Sequence, residues 1–202
     1  MACLHKFTSD LHLQYVEWEV RTLFIGTFNP DWKSCTSNNA TWFYGRTSRN
    51  EFWCILPTIH EQQSLLTGNR RVWIDFCQRN HLAVTDIIER FDEADETNPQ
   101  HRVAICGFKD EELVAFQPIH NNIPAILEAN PSIKQIVITR KTLPPFWKTC
   151  FAETFDWIRQ HPQRQIQVRM LRSPSRGAIN GVTGNFCDFV SNQWLNQGYV
   201  VL

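Results

Sequence analysis

Two asparagines, a pair of aromatic rings and a scatter of cations and hydroxyls carry the residue types that could do chemistry in this chain. Asn29 lies in residues 23–32, LFIGTFNPDW. Val20, Leu23, Phe24 and Ile25 read as a buried strand; Gly26 admits a close approach that a Cβ would forbid, and Pro30 stops the ladder. Asn29 is therefore expected just past the carboxyl end of a strand, where open α/β sheets hold ligands, with a turn-forming Asn-Pro as the plainer alternative. Asn50, in RNEFWCIL, is the rival amide, and it also stands where a helix N-cap belongs. Phe43 or Tyr44 offers a ring. Thr139, Arg140 and Lys141 follow an apolar run, as do Ser173, Pro174, Ser175 and Arg176 in LRSPSRGAIN. Rings, amides, cations and hydroxyls gathered together suit a flat heterocycle bearing phosphates: the ring is stacked, the base edge is read by amides, and the phosphates are held by Arg, Lys and hydroxyls. No P-loop and no GxGxxG occurs, which disfavours nucleoside triphosphates and dinucleotides.

The elements that must position these residues alternate. Strands are expected over residues 19–27, 82–88 and 134–139, and a fourth where Ile166, Val168 and Met170 alternate. Helices are expected over 50–59, 70–80 and 121–129, over the face formed by Trp147, Phe151, Phe155 and Ile158, and over a last segment marked by Phe186, Phe189, Val190 and Trp194. Residues 89–97 are acidic and read as a solvated loop. Strands separated by helices imply an α/β class with a mainly parallel sheet covered on both faces, in one domain over 1–202. In such a sheet the loops after the strands share one rim, so the turns after strands one, three and four meet, with Arg46, Arg49, Lys148 and Arg172 nearby.

Composition narrows the classes. Formal net charge is zero, so no global field draws the chain to nucleic acid or membrane, yet residues 131–181 hold nine Lys/Arg against two Asp/Glu, and 84–128 hold ten acids against three bases. The seven cysteines form no CxxC pair and stand near no His-x-x-x-His, which argues against a zinc or iron–sulfur ligand set. They are expected as buried reduced thiols of a soluble intracellular protein, cytoplasmic or, in a eukaryote, nuclear. The seven histidines lack partners at ligand spacing and read as structural or exposed. No metal site, no cofactor and no membrane contact is expected.

Taken in order, these motifs resemble those of the uracil-DNA glycosylase superfamily. IGTFNP is similar to a first motif of the Gly-x-Asn-Pro kind, and FYGRTSRNEFWCIL to the aromatic segment that runs into Arg-Asn-x-Phe-Trp. NHLAVTDIIERF and NNIPAILEANPSIKQIVIT resemble the second-strand segment and the helix and third strand that follow it. LRSPSRGAIN resembles the second motif, commonly Leu-Pro-Ser-x-Ser. The hypoxanthine-DNA glycosylase and mismatch-specific branches are nearest in the first of these segments. The chain departs in having one residue more between Gly26 and Asn29, Arg172 where many members have Pro, and Thr139-Arg140 where classical members place a uracil-reading Asn, which leaves the identity of the base open.

The resemblance implies a three-layer α/β/α sandwich around a central, mainly parallel four-stranded sheet. It also implies a monomeric, metal-independent DNA glycosylase of base excision repair, hydrolysing the glycosidic bond of an extruded uracil or hypoxanthine in single- or double-stranded DNA. Asn29 or Asn50 would hold the water. Gly26, Thr27, Phe28, Phe43, Tyr44, Thr139 and Arg140 would bind the base. Arg46, Lys141, Ser173, Pro174, Ser175 and Arg176 would grip and wedge the DNA. Asp86 could be an acid near the site, or a helix cap or surface ion-pair partner. The alternatives are a non-catalytic nucleic-acid or nucleobase binder of the same fold and, last, a small nucleoside hydrolase.

Overall fold

The structure is a computed structural model that describes residues 2–36, 39–45, 49–107 and 110–202. The chain opens with a short strand β1 (Cys3–Leu4) and a helical turn α1 (Thr8–Leu11), then enters β2 (Thr22–Gly26). Helices α2 (Phe52–Ile59) and α3 (Arg70–Arg79) lead to β3 (Leu82–Asp86). Next come β4 (Ile88–Phe91), α4 (Pro99–Gly107), α5 (Asp110–Leu113), β5 (Pro118–His120) and α6 (Ile123–Ala129). The chain ends with β6 (Gln135–Ile138), α7 (Pro145–Cys150), α8 (Ala152–Gln160), β7 (Gln167–Met170) and α9 (Phe186–Asn196).

Four strands form a parallel sheet in the order β3-β2-β6-β7. Its period-two alternation sorts the core into two halves. Leu23, Ile25, Ala83, Ile136 and Ile138 join Ile126, Leu127, Trp147 and Trp157 from α6, α7 and α8. Phe24, Val84 and Val137 join Phe52, Trp53, Phe76 and Trp194 from α2, α3 and α9. Helices on both faces bury every residue of β2, β3 and β6, which is why these strands read as near-continuous apolar runs. The fold is thus the α/β/α sandwich with a four-stranded parallel sheet. Asparagine side chains start three of the helices: Asn69 accepts from Arg71 and Val72 N–H, Asn122 from Ala125, and Asn185 from Asp188.

Several expectations need correction. The segment after strand two is not all loop: β4 pairs with β1 and β5 in a separate antiparallel sheet, because Ile88 and Phe91 reach the core while Glu89 and Arg90 between them stay half-buried. The helix expected through Trp147 and Ile158 is broken at Phe151 into α7 and α8. Helix α4 leaves no periodic signal in the sequence because only Ile105 of it is buried. Four of the seven cysteines are not free thiols: Cys35 is bonded to Cys106 and Cys54 to Cys187, across 71 and 133 residues of sequence, separations from which spacing reveals nothing. Cys3, Cys77 and Cys150 are the buried free thiols. Among the described residues no helix is long and apolar enough to cross a membrane.

Candidate functional site

The register of the sheet fixes the site. Gly26 lies opposite Asp86 and Ile25 opposite Ile138, so β2, β3 and β6 end at one rim. The chain leaves β2 through α2 and α3 to reach β3 on one side, and later crosses to β6 on the other, which makes the β2 terminus a topological switch point. A cleft of about 940 Å³ opens there. Gly26, Thr27, Phe28 and Asn29 form one wall, Thr139, Arg140 and Lys141 another, and Ser173, Pro174, Ser175 and Arg176 a third, with Tyr44 and Asn50 between them. The turns expected to converge do converge. Arg46 lies outside the described residues, and Lys148 is on α7, away from the lining.

Asp86 is the keystone of the floor. It is 2% exposed, neither a helix cap nor a surface ion-pair partner. Its Oδ2 accepts from Asn29 Nδ2 at 2.7 Å and faces His5 Nε2 at 2.8 Å. Among the described residues no lysine or arginine pairs with it. Gly26 is required here, because a Cβ would stand 2.2 Å from Asp86 Oδ1 and 2.9 Å from the Tyr44 hydroxyl. Asn29 is half-buried, and its backbone carbonyl accepts from Lys6 N–H at 2.7 Å, so the residue is held through its main chain as well as through its side-chain nitrogen.

Asn50 is committed differently. Its Oδ1 accepts the Phe52 N–H at 2.9 Å at the entrance to α2, from the position just before the N-cap residue Glu51. The strip 49–51 is laced to the loop 174–176: Glu51 N–H donates to Pro174 O, Arg176 N–H to Arg49 O, and the Arg176 guanidinium pairs with the buried Glu51 carboxylate. Arg176 is half-exposed and already carries one partner. Ser173 and Ser175 accept the N–H groups of Ser175 and Gly177, and each hydroxyl still has its own hydrogen to donate.

The rings divide. Tyr44, in a left-handed backbone conformation (φ 56°), lines the cleft, stacked on Phe52 at 4.0 Å. Its hydroxyl bonds Thr139 Oγ1 at 3.0 Å; burial, and then the charge of Asp86, push its ionisation well above the usual tyrosine range. Phe43, in contrast, is fully buried and does not line the cleft: its ring packs on His5, Phe7 and Trp42. The sequence wealth of rings is spent mainly on the core, where Trp53 stacks on Trp73 at 5.1 Å. Phe28 packs its ring against Phe91, and the residue also lines the cleft.

Electrostatically the lining is lopsided. Among the described residues the lining carries Arg49, Arg140, Lys141, Arg172 and Arg176 against one lining carboxylate, Asp86, with Arg176 paired to Glu51 outside the lining. Arg140 lies 4.7 Å from the Trp147 ring centre. Arg172 is 8% exposed and has no carboxylate partner among the described residues; it holds the Ala178 and Asn180 carbonyls and so shapes the rim. A cleft of this charge suits an anionic ligand. The sequence marks His5 only as one of seven structural or exposed histidines, because its contact with Asp86 spans 81 positions and no local pattern announces it.

No family model matches the sequence, and no curated protein matches it. Among solved structures the chain is similar to a protein of Methanosarcina acetivorans whose solution NMR structure is described as that of a "putative Uracil DNA glycosylase", with a TM-score of 0.53 over 91% of this chain and 94% of that one, at 15% sequence identity. The four-stranded parallel sheet, the flanking helices and this likeness define a uracil-DNA-glycosylase-like fold. At that identity the likeness concerns the fold, and the chemistry has to be argued from the cleft.

Proposed function

We propose that the protein is a monofunctional DNA glycosylase that hydrolyses the N-glycosidic bond of an extruded deaminated base, uracil or hypoxanthine, acting as a monomer on single- or double-stranded DNA. The observation that carries the reading is Asn29 and Asp86 paired at 2.7 Å at the base of a cleft lined by cations. With Nδ2 engaged by Asp86, Oδ1 is the part of the Asn29 amide left to accept a hydrogen from a water beneath C1′. As the C1′–N bond breaks, its electron pair leaves with the base and the sugar takes on oxocarbenium character, which the Asp86 carboxylate favours through its charge. The water oxygen bonds to C1′, its proton passes to Asp86 and then to solvent, and the departed base is protonated from solvent.

The leaving base needs hydrogen-bond donors. Tyr44 and Thr139 share one hydrogen bond between two hydroxyls, so one hydroxyl hydrogen remains to be offered, and burial keeps the tyrosine protonated. The Tyr44 ring and the Phe28 backbone supply the stacking surface and a further N–H. The phosphates flanking the extruded nucleotide fall to Arg140, Lys141, Arg49 and the hydroxyl hydrogens of Ser173 and Ser175.

The test is incubation of the full chain with single- and double-stranded oligonucleotides bearing uracil, hypoxanthine, xanthine or a G·T mismatch, followed by alkali. Strand scission at one of the deaminated bases is expected. Tight binding without scission would favour the non-catalytic alternative, and absence of both would end the reading.

A further inference from the structure

The N-terminal segment pairs with the stretch that carries Asn29. Lys6 N–H donates to the Asn29 carbonyl, Asp31 N–H donates to the Leu4 carbonyl, and His5 bridges Pro30, so residues 4–6 run antiparallel to the segment that bears Asn29. His5 sits between these bonds, 2% exposed, boxed by the rings of Phe7, Phe28 and Phe43 at 5.6–5.7 Å. Its Nδ1 accepts the Phe7 N–H at 3.0 Å. An acceptor nitrogen carries no proton, so the hydrogen of the ring is on Nε2, which donates to Asp86 Oδ2 at 2.8 Å. Asn29 Nδ2 reaches the same oxygen at 2.7 Å.

We propose that His5 is a positioning residue: through its Nε2–H it locks the Asp86 carboxylate in the one orientation that fixes the Asn29 amide with its nitrogen turned inward and its oxygen turned to the cleft. The backbone N–H of Phe7 sets the tautomer, the surrounding rings pack around the imidazole, and the shared oxygen transmits the constraint. Without that donor, Asp86 is held on one side only, and the amide loses its fixed acceptor. The first few residues of the chain are thereby part of the site, although they lie far from its motifs in sequence. The effect on rate rests on the glycosylase reading above; the hydrogen-bond chain does not.

The test pairs two variants with a readout independent of catalysis. His5→Leu keeps apolar bulk and removes the donor; His5→Gln offers an amide donor in place of Nε2. His5→Leu is expected to lower kcat on the cleaved oligonucleotide at least about 10-fold with KM within about two-fold, and His5→Gln to recover to within about three-fold of the parent. In the unmodified protein, nitrogen-15 NMR is expected to show His5 protonated at Nε2 and bare at Nδ1. The Asn29 side-chain amide should give one shifted, exchange-protected proton that His5→Leu abolishes and His5→Gln retains. Equal behaviour of the two variants, a change in KM alone, or the opposite imidazole tautomer would overturn the proposal. Should the parent cleave no substrate, the functional reading falls, and the two NMR signals still decide the role of His5.

Discussion

Replacing Gly26 with alanine puts the packing at the strand terminus to a quantitative test. The added Cβ would lie 2.2 Å from Asp86 Oδ1 and 2.9 Å from the Tyr44 hydroxyl, and the glycine is in the sheet, where the backbone has little freedom to move aside. Ordinary carbon–oxygen contact begins near ~3.3 Å, so the carboxylate must retreat by about 1 Å. A retreat of that size stretches the bonds now at 2.7 and 2.8 Å to Asn29 and His5 beyond useful length. Hydrogen bonds to a charged group contribute about 1.5–3 kcal/mol each, so losing both costs roughly 3–6 kcal/mol, against a total stability on the order of 5–15 kcal/mol. A misplacement of about 1 Å at reacting groups slows turnover roughly 100-fold. Urea denaturation and single-turnover cleavage of a uracil- or hypoxanthine-bearing oligonucleotide would read the two effects on Gly26→Ala. A variant within ~0.5 kcal/mol of the parent and cleaving within about two-fold of it would refute the reasoning, since values that small are typical of inert surface substitutions.

Three other outcomes follow from the geometry. Asn50→Ala removes a helix-start acceptor and is expected to cost about 1 kcal/mol of stability while leaving cleavage within about three-fold, read by the same two assays; a loss beyond about 100-fold would move the water to Asn50. If three to five of the cleft cations meet phosphates of a duplex, affinity should fall roughly 40- to 500-fold between 50 and 200 mM salt, measured by fluorescence anisotropy, whereas a small-substrate enzyme would show almost no slope. Burial pushes the Cys3 and Cys150 thiols from 9.0 up to about 12. The unfolded chain therefore releases these protons first, so their contribution to stability is intact below pH 9 and is lost as pH climbs from about 9 to about 12; denaturation midpoints that stay flat across that window would contradict this.

Much of the architecture was legible because buried parallel strands are apolar throughout: TLFIG, LAVTD and QIVI each announce a strand, and each ends within a residue or two of the expected place. Gly26 was legible too, since a glycine closing such a strand signals a close approach, here to Asp86. The second sheet was not, because β1 and β5 are only two and three residues long and their pairing with β4 is a long-range fact. Phe43 and Tyr44 are neighbours of like chemistry, and only the fold decides that one ring goes into the core and the other to the cleft. The ion pair of Arg176 left no sign in the sequence because its partner Glu51 lies 125 positions away. His5 and the two disulfides share that cause: contacts made by tertiary folding leave no mark on local spacing.

The Asn29 amide decides the proposed chemistry. Single-turnover release of uracil and of hypoxanthine from oligonucleotides should be measured for the parent chain and for Asn29→Ala, with binding of the same oligonucleotides followed in parallel. The expected result is base release by the parent, a rate at least about 100-fold lower for Asn29→Ala, and affinity for the oligonucleotide within about two-fold. Base release by Asn29→Ala at the parental rate would contradict the claim that this amide holds the attacking water.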